Sequence, residues 1–164
     1  MDYTIVDKPS FDLIGKALRV SMKDGENMRE IPKFWDQSMS EGLFGTLMSK
    51  AKHNGILGDV TLGVCTDFAP DMSEFTYLIA VEKGDAPVGD GLTAVPVPAL
   101  TWAVFKGQGA LPDAIQNLWG YIMGEFLPSG DYAHAAGPDL EIYPASDPSS
   151  PGYTFEVWVP VVKK

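Results

Sequence analysis

The sequence holds a single cysteine, Cys65, among 164 residues, which excludes an internal disulfide and leaves no thiolate set for a metal. Histidine is nearly as scarce. His53 and His134 stand in Gly- and Ala-containing segments without HExxH or Cys-partner spacing, so they read as solvated loop histidines, and neither a metal nor another cofactor is expected. Basic residues are in deficit: 12 Lys and Arg face 22 Asp and Glu, a net charge of −10, and that sign repels phosphate backbones and anionic lipid. Direct nucleic-acid binding is therefore not expected, except through mimicry of nucleic acid toward a basic partner. No apolar run approaches the roughly 20 residues of a membrane span, and the opening Met1-Asp2-Tyr3-Thr4 has no basic region ahead of an apolar stretch. The expectation is a soluble cytoplasmic protein with no membrane partner.

What is present is a globular composition, 45% hydrophobic and 21% charged, with 13 Pro and 17 Gly marking many turns. Residues 111 to 127 carry the clearest helical period. Leu111, Ala114, Ile115, Leu118, Trp119, Ile122, Met123 and Phe126 form one stripe, Pro112 suits the first turn and Pro128 closes it. A second helix is expected from Ile31-Pro32, with Ile31, Phe34, Trp35 and Met39 on one face and a break or bend at Gly42 and Gly45. Residues 75 to 82 and 153 to 161 have strand composition, and 11 to 20, 57 to 66, 93 to 106 and 139 to 145 are weaker candidates.

This order repeats. Gly58-Asp59-Val60-Thr61-Leu62-Gly63 overlays Pro138-Asp139-Leu140-Glu141-Ile142-Tyr143, Ile31-Pro32 overlays Leu111-Pro112, and Phe75-Thr76-Tyr77-Leu78 overlays Tyr153-Thr154-Phe155-Glu156. The expectation is one domain over residues 1–164, built from pseudo-repeat halves of about 1–83 and 92–164 joined by a Gly/Pro/Asp-rich linker at 84–91.

Strand alternation then sorts the candidate site residues. Tyr153, Phe155, Val157, Val159 and Val161 share the face expected under the helices, while Glu156 and Trp158 share the other. A carboxylate inside an otherwise apolar strand needs a donor or a cation, and in the overlay its counterpart is Leu78, so Glu156 breaks the repeat. Glu141 and Tyr143 share a face of the preceding strand; Glu141 reads as a rim charge ahead of a second site acid, and Tyr143 as a pocket wall or a wet strand end. Trp35, Trp102 and Tyr77 are further candidate walls, whereas Trp119 is assigned to the helical core stripe. An aromatic groove with one sheltered carboxylate suits amphipathic cations. Lys106-Gly107-Gln108-Gly109 lacks the full glycine or Walker pattern and reads as a turn, and no G-x-S-x-G elbow occurs.

Four segments together resemble a known family. They are the opening Tyr3-Thr4-Ile5-Val6 with Pro9, Ile31-Pro32-Lys33-Phe34-Trp35, Pro138-Asp139-Leu140-Glu141-Ile142-Tyr143 and the closing Phe155-Glu156-Val157-Trp158-Val159-Pro160. The chain resembles the GyrI-like small-molecule-binding domain, the effector-binding domain of bacterial AraC- and MerR-type multidrug regulators, in a stand-alone form. The resemblance implies an α+β fold of two βαββ units forming a curved antiparallel sheet, with helices on one face and a ligand groove on the other. It implies Glu156 as the acid that meets a cationic ligand. It also implies two alternatives: hydrolysis of cyclopropane-bearing compounds through Glu156 and a groove Trp, or an acidic interaction module acting on gyrase or a regulator.

Overall fold

The computed structural model describes residues 2–164 as nine antiparallel strands and three main helical segments. The strands are β1 (Tyr3–Lys8), β2 (Phe11–Ser21), β3 (Val60–Thr66), β4 (Glu74–Glu82), β5 (Thr93–Val97), β6 (Leu100–Gln108), β7 (Tyr132–His134), β8 (Asp139–Pro144) and β9 (Thr154–Lys163). Helices α1 (Glu26–Ser40) and α2 (Leu43–Met48) join β2 to β3, and α3 (Asp113–Tyr121) follows β6. The sheet order is β1-β6-β9-β8-β3-β4-β2-β5, with β7 beside β9. This order reads alike from either end: β2-α-β3-β4 and β6-α-β8-β9 meet at the central β3–β8 pair, and each half's leading strand, β1 or β5, lies on the other half's edge. Leu62 faces Ile142 across the centre, the pair that the sequence overlay matched.

The register corrects that overlay for the last strand. Ile142 lies opposite Glu156 as Leu62 lies opposite Ala80, so the counterpart of Glu156 is Ala80 and not Leu78. A slip of two residues keeps the face and changes the partner, which is why alternation alone did not detect it.

Local chemistry accounts for the helix ends. The first helix begins at Glu26, five residues before the expected start, because Asp24 (φ 56°) and Gly25 (φ 70°) turn the chain through left-handed conformations and the Glu26 carboxylate accepts the Ser21 N–H at 3.1 Å. Pro32 therefore sits inside α1. Gly42 (φ 87°) ends it as expected, whereas Gly45 lies within α2. Beyond α3 the chain continues through a π-helical turn, Ile122–Phe126, and a last turn, Leu127–Ser129, so Pro128 does not close the helix. Ile115, Leu118, Ile122 and Phe126 are buried, but Met123 is exposed.

Three apolar clusters fill the fold. One lies beneath α3 and contains Phe105, Tyr153, Phe155, Val157, Val159 and Val161. A second lies beneath α1 and α2 and contains Ile14, Tyr77, Ile79 and Val81. The third, on the face away from the helices, contains Leu13, Leu62, Leu78, Trp102, Leu140 and Trp158. Within it the rings of Phe11 on β2 and Trp102 on β6 approach to 6.4 Å between centroids. These strands stand five places apart, about 24 Å on a flat sheet. The sheet must curl for the rings to meet, and the curl makes its helix-free face a packed interior.

β7 is held to the sheet by β9 and by an ion pair. The two nitrogens of His134 face oxygen acceptors, Nε2 the Asp139 carboxylate at 2.6 Å and Nδ1 the Ala135 carbonyl at 2.6 Å. His134 is thus at a strand end in a built contact, correcting the loop reading, while His53 is an exposed partner of Asp59. The hydrogen bond to Asp139 holds the His134 pKa up, and burial holds that of Asp139 up against the opposing pull of His134. The native state therefore retains both protons to higher pH than the unfolded chain. The histidine contribution is complete below the unfolded value of about 6.5 and is lost as pH rises through the raised folded value. A thermal scan from pH 6 to 9 should show a falling midpoint, and His134→Gln should flatten that upper part of the profile; an unchanged slope would exclude His134 as its source.

Candidate functional site

A buried polar cluster lies on the helix side of the sheet, along the seam between its two halves. Glu141 on β8 stands beside Gly63 on β3. Because Gly63 has no side chain, the Tyr77 hydroxyl reaches across from β4 and donates to Glu141 Oε1 at 2.6 Å. Tyr143, two residues along β8 on the same face, donates to the same oxygen at 3.0 Å. From α3 the indole of Trp119 donates to Oε2 at 2.8 Å. From α1 the indole of Trp35 donates to the Tyr77 hydroxyl at 2.8 Å and meets the Tyr143 ring edge-on, 5.3 Å between centroids. Two indoles on two helices thus close over one carboxylate.

Glu141 is 6% exposed, and among the described residues no Lys, Arg or His lies within ion-pair distance of it. Burial raises its pKa, against the lowering effect of the donors Tyr77, Trp119 and Tyr143. Burial and the Glu141 charge in turn push both tyrosine hydroxyls well up, so Tyr77 and Tyr143 remain neutral donors. The buried Cys65 thiol is raised for the same reasons, led by burial, and is not a ready nucleophile. The result is a buried acid surrounded by neutral donors and aromatic rings, with no cation to match it.

The residues read from sequence divide between the two faces. Trp35, Tyr77, Glu141 and Tyr143 come together at the seam. Glu141 is buried at the centre of that group, correcting the rim reading. Trp119, assigned to the core, contributes its indole N–H, a role its stripe position did not signal. Gly63 was not singled out, and nothing in the sequence marked it.

Glu156, Trp158 and Trp102 lie on the opposite face. Glu156 is half-buried and accepts the Trp158 indole at 3.0 Å. Trp158 packs on Trp102 with centroids 5.8 Å apart, and the Lys8 ammonium lies 5.8 Å from the Trp158 ring. Trp102 is fully buried there. On this face Trp102 and Trp158 join Leu13, Leu62, Leu78 and Leu140 in one apolar cluster.

Comparison with known proteins agrees with the fold. No curated protein matches the chain in sequence. SAV2435, solved bound to tetraphenylphosphonium, is similar over 99% of this chain and 94% of its own, at 25% identity and a TM-score of 0.84. The integron cassette protein VCH_CASS2 of Vibrio cholerae shares the fold over 98% and 95% of the two chains, at 17% identity and a TM-score of 0.67. The C-terminal domain of EcmrR does so over 99% and 98%, at 16% identity and a TM-score of 0.65. The model of the integron-associated effector-binding proteins, Cass2, matches residues 4–161. With its doubled antiparallel sheet and flanking helices, the chain belongs to the Cass2 family of effector-binding proteins and has the GyrI-like small-molecule-binding fold.

Proposed function

We propose that the protein binds amphipathic organic cations at the seam between α1 and α3, with Glu141 as counter-ion and Trp35, Tyr77, Trp119 and Tyr143 as ring walls. The observation that carries this reading is a buried carboxylate that has no cationic partner and is held by tyrosine and tryptophan donors. An ionised acid removed from water is costly unless a positive charge or strong donors compensate it, and here only neutral donors are present. Ring faces attract cations, so a lipophilic cation gains from the acid and the walls together. The relative solved with tetraphenylphosphonium supports the ligand class. The acidic surface adds long-range attraction for cations, which should make association slow as ionic strength rises.

Titration with tetraphenylphosphonium, followed by tryptophan fluorescence, tests the reading. Saturable quenching is expected, with most of the signal lost in the Trp35→Phe and Trp119→Phe proteins because those indoles line the seam. Glu156→Gln should leave the affinity within about twofold, since its side chain lies on the other face and meets no ligand in this reading. Absence of saturation, or an affinity that depends on Glu156 and not on Glu141, would overturn it.

A further inference from the structure

Helices α1 and α3 rest on separate apolar clusters, so the seam above Glu141 is bridged by polar contacts and little shared packing. Among the described residues one side-chain hydrogen bond runs directly between these helices: Gln116 Nε2 donates to the Met28 carbonyl at 3.2 Å. That carbonyl is available for a sequence-encoded reason. In an α-helix it would accept the N–H four residues on, and that residue is Pro32, which has none. Gln116 stands one turn before Trp119 on α3, and Met28 two turns before Trp35 on α1, so the bond joins the two helices whose indoles cover the acid.

Taking Glu141 as the ligand's counter-ion, we propose that the Gln116–Met28 hydrogen bond, which Pro32 makes possible, is the latch that keeps α1 and α3 closed over Glu141 and sets ligand access. Gln116 and Pro32 are then positioning residues: neither touches the ligand's charge, and both govern how often the seam is open. Apparent affinity scales with the open fraction, and one neutral hydrogen bond changes such a ratio by about fivefold.

Gln116→Ala should therefore speed tetraphenylphosphonium association in stopped flow by about fivefold and tighten the apparent affinity by the same factor, leaving dissociation unchanged. Pro32→Ala restores an N–H that competes for the Met28 carbonyl, so it should act in the same direction, and the double variant should add nothing to either single one. In the ligand-free proteins, both substitutions should increase acrylamide quenching of tryptophan. Wild-type quenching and association in Gln116→Ala, or additive effects of the two substitutions, would refute the latch. If the unaltered protein fails to bind the cation, the reading of Glu141 falls, while the quenching comparison still decides the latch.

Discussion

Glu141→Gln is expected to weaken tetraphenylphosphonium binding about 100-fold while the protein stays folded. Truncating one partner of a buried charge pair costs about 2 to 5 kcal/mol, and the isosteric amide removes the charge without opening a cavity. The local pattern changes as well. Its carbonyl can still accept the Tyr77 and Tyr143 hydroxyls, but its NH2 then faces the Trp119 N–H, donor to donor. That lost bond opposes the relief from no longer desolvating an anion, so the thermal midpoint should move little. A pH profile gives an independent check with a definite sign. Protonation of Glu141 abolishes the counter-ion, and because burial raises its pKa, affinity should fall with decreasing pH from above the usual glutamate range of about 4.3. The Gln variant should show no such fall. An affinity within threefold of the parent protein would place the ligand's charge elsewhere.

The strand patterns made the architecture legible. The alternation along β9 placed Phe155, Val157 and Val159 under a helix, and they do pack beneath α3 with Leu118 and Ile122. It could not say which side of the sheet encloses an acid, because period-two alternation distinguishes two faces only when one is wet. Here the sheet curls until Phe11 meets Trp102, and both faces are buried. Glu156 drew attention as an acid breaking a repeat, and the corrected register keeps that break, with Ala80 in place of Leu78 as its apolar counterpart. Glu141 looked like a rim charge because one acid between Leu140 and Ile142 is also what a solvent-facing strand position looks like. Trp119 from a distant helix donates to it, a contact on which the strand's own pattern carries no information. The proline in Ile31-Pro32 likewise pointed to a helix start, while the actual start depended on left-handed turns at Asp24 and Gly25, with Pro32 left inside α1. The family resemblance supplied the fold, whereas the function proposed above takes Glu141 and not Glu156 as the counter-ion.

Gly63→Ala is expected to be the most destabilising single substitution at the site, by about 2 to 4 kcal/mol, or a fall of roughly 4 to 16 °C in thermal midpoint. The backbone gives no reason for this: Gly63 is paired within β3, where alanine is at least as well tolerated as glycine. The penalty comes from above the strand, since a Cβ would overlap the Tyr77 hydroxyl and a Glu141 carboxylate oxygen. Neither can step aside freely. Tyr77 is fully buried with Phe34 edge-on to its ring, and Glu141 is held from three directions. Moving either breaks a hydrogen bond to a buried acid, so the loss combines overpacking with an under-satisfied charge. Gly45→Ala in α2, where a Cβ meets nothing within 4 Å, should by contrast be neutral or slightly stabilising. The mechanism has its own test. Removing the hydroxyl with Tyr77→Phe relieves one of the two overlaps, so the double variant Gly63→Ala/Tyr77→Phe should be more stable than the two separate losses predict when added. Chemical denaturation of the four proteins measures that coupling, and simple additivity would mean that the methyl acts somewhere other than at the Tyr77–Glu141 contact.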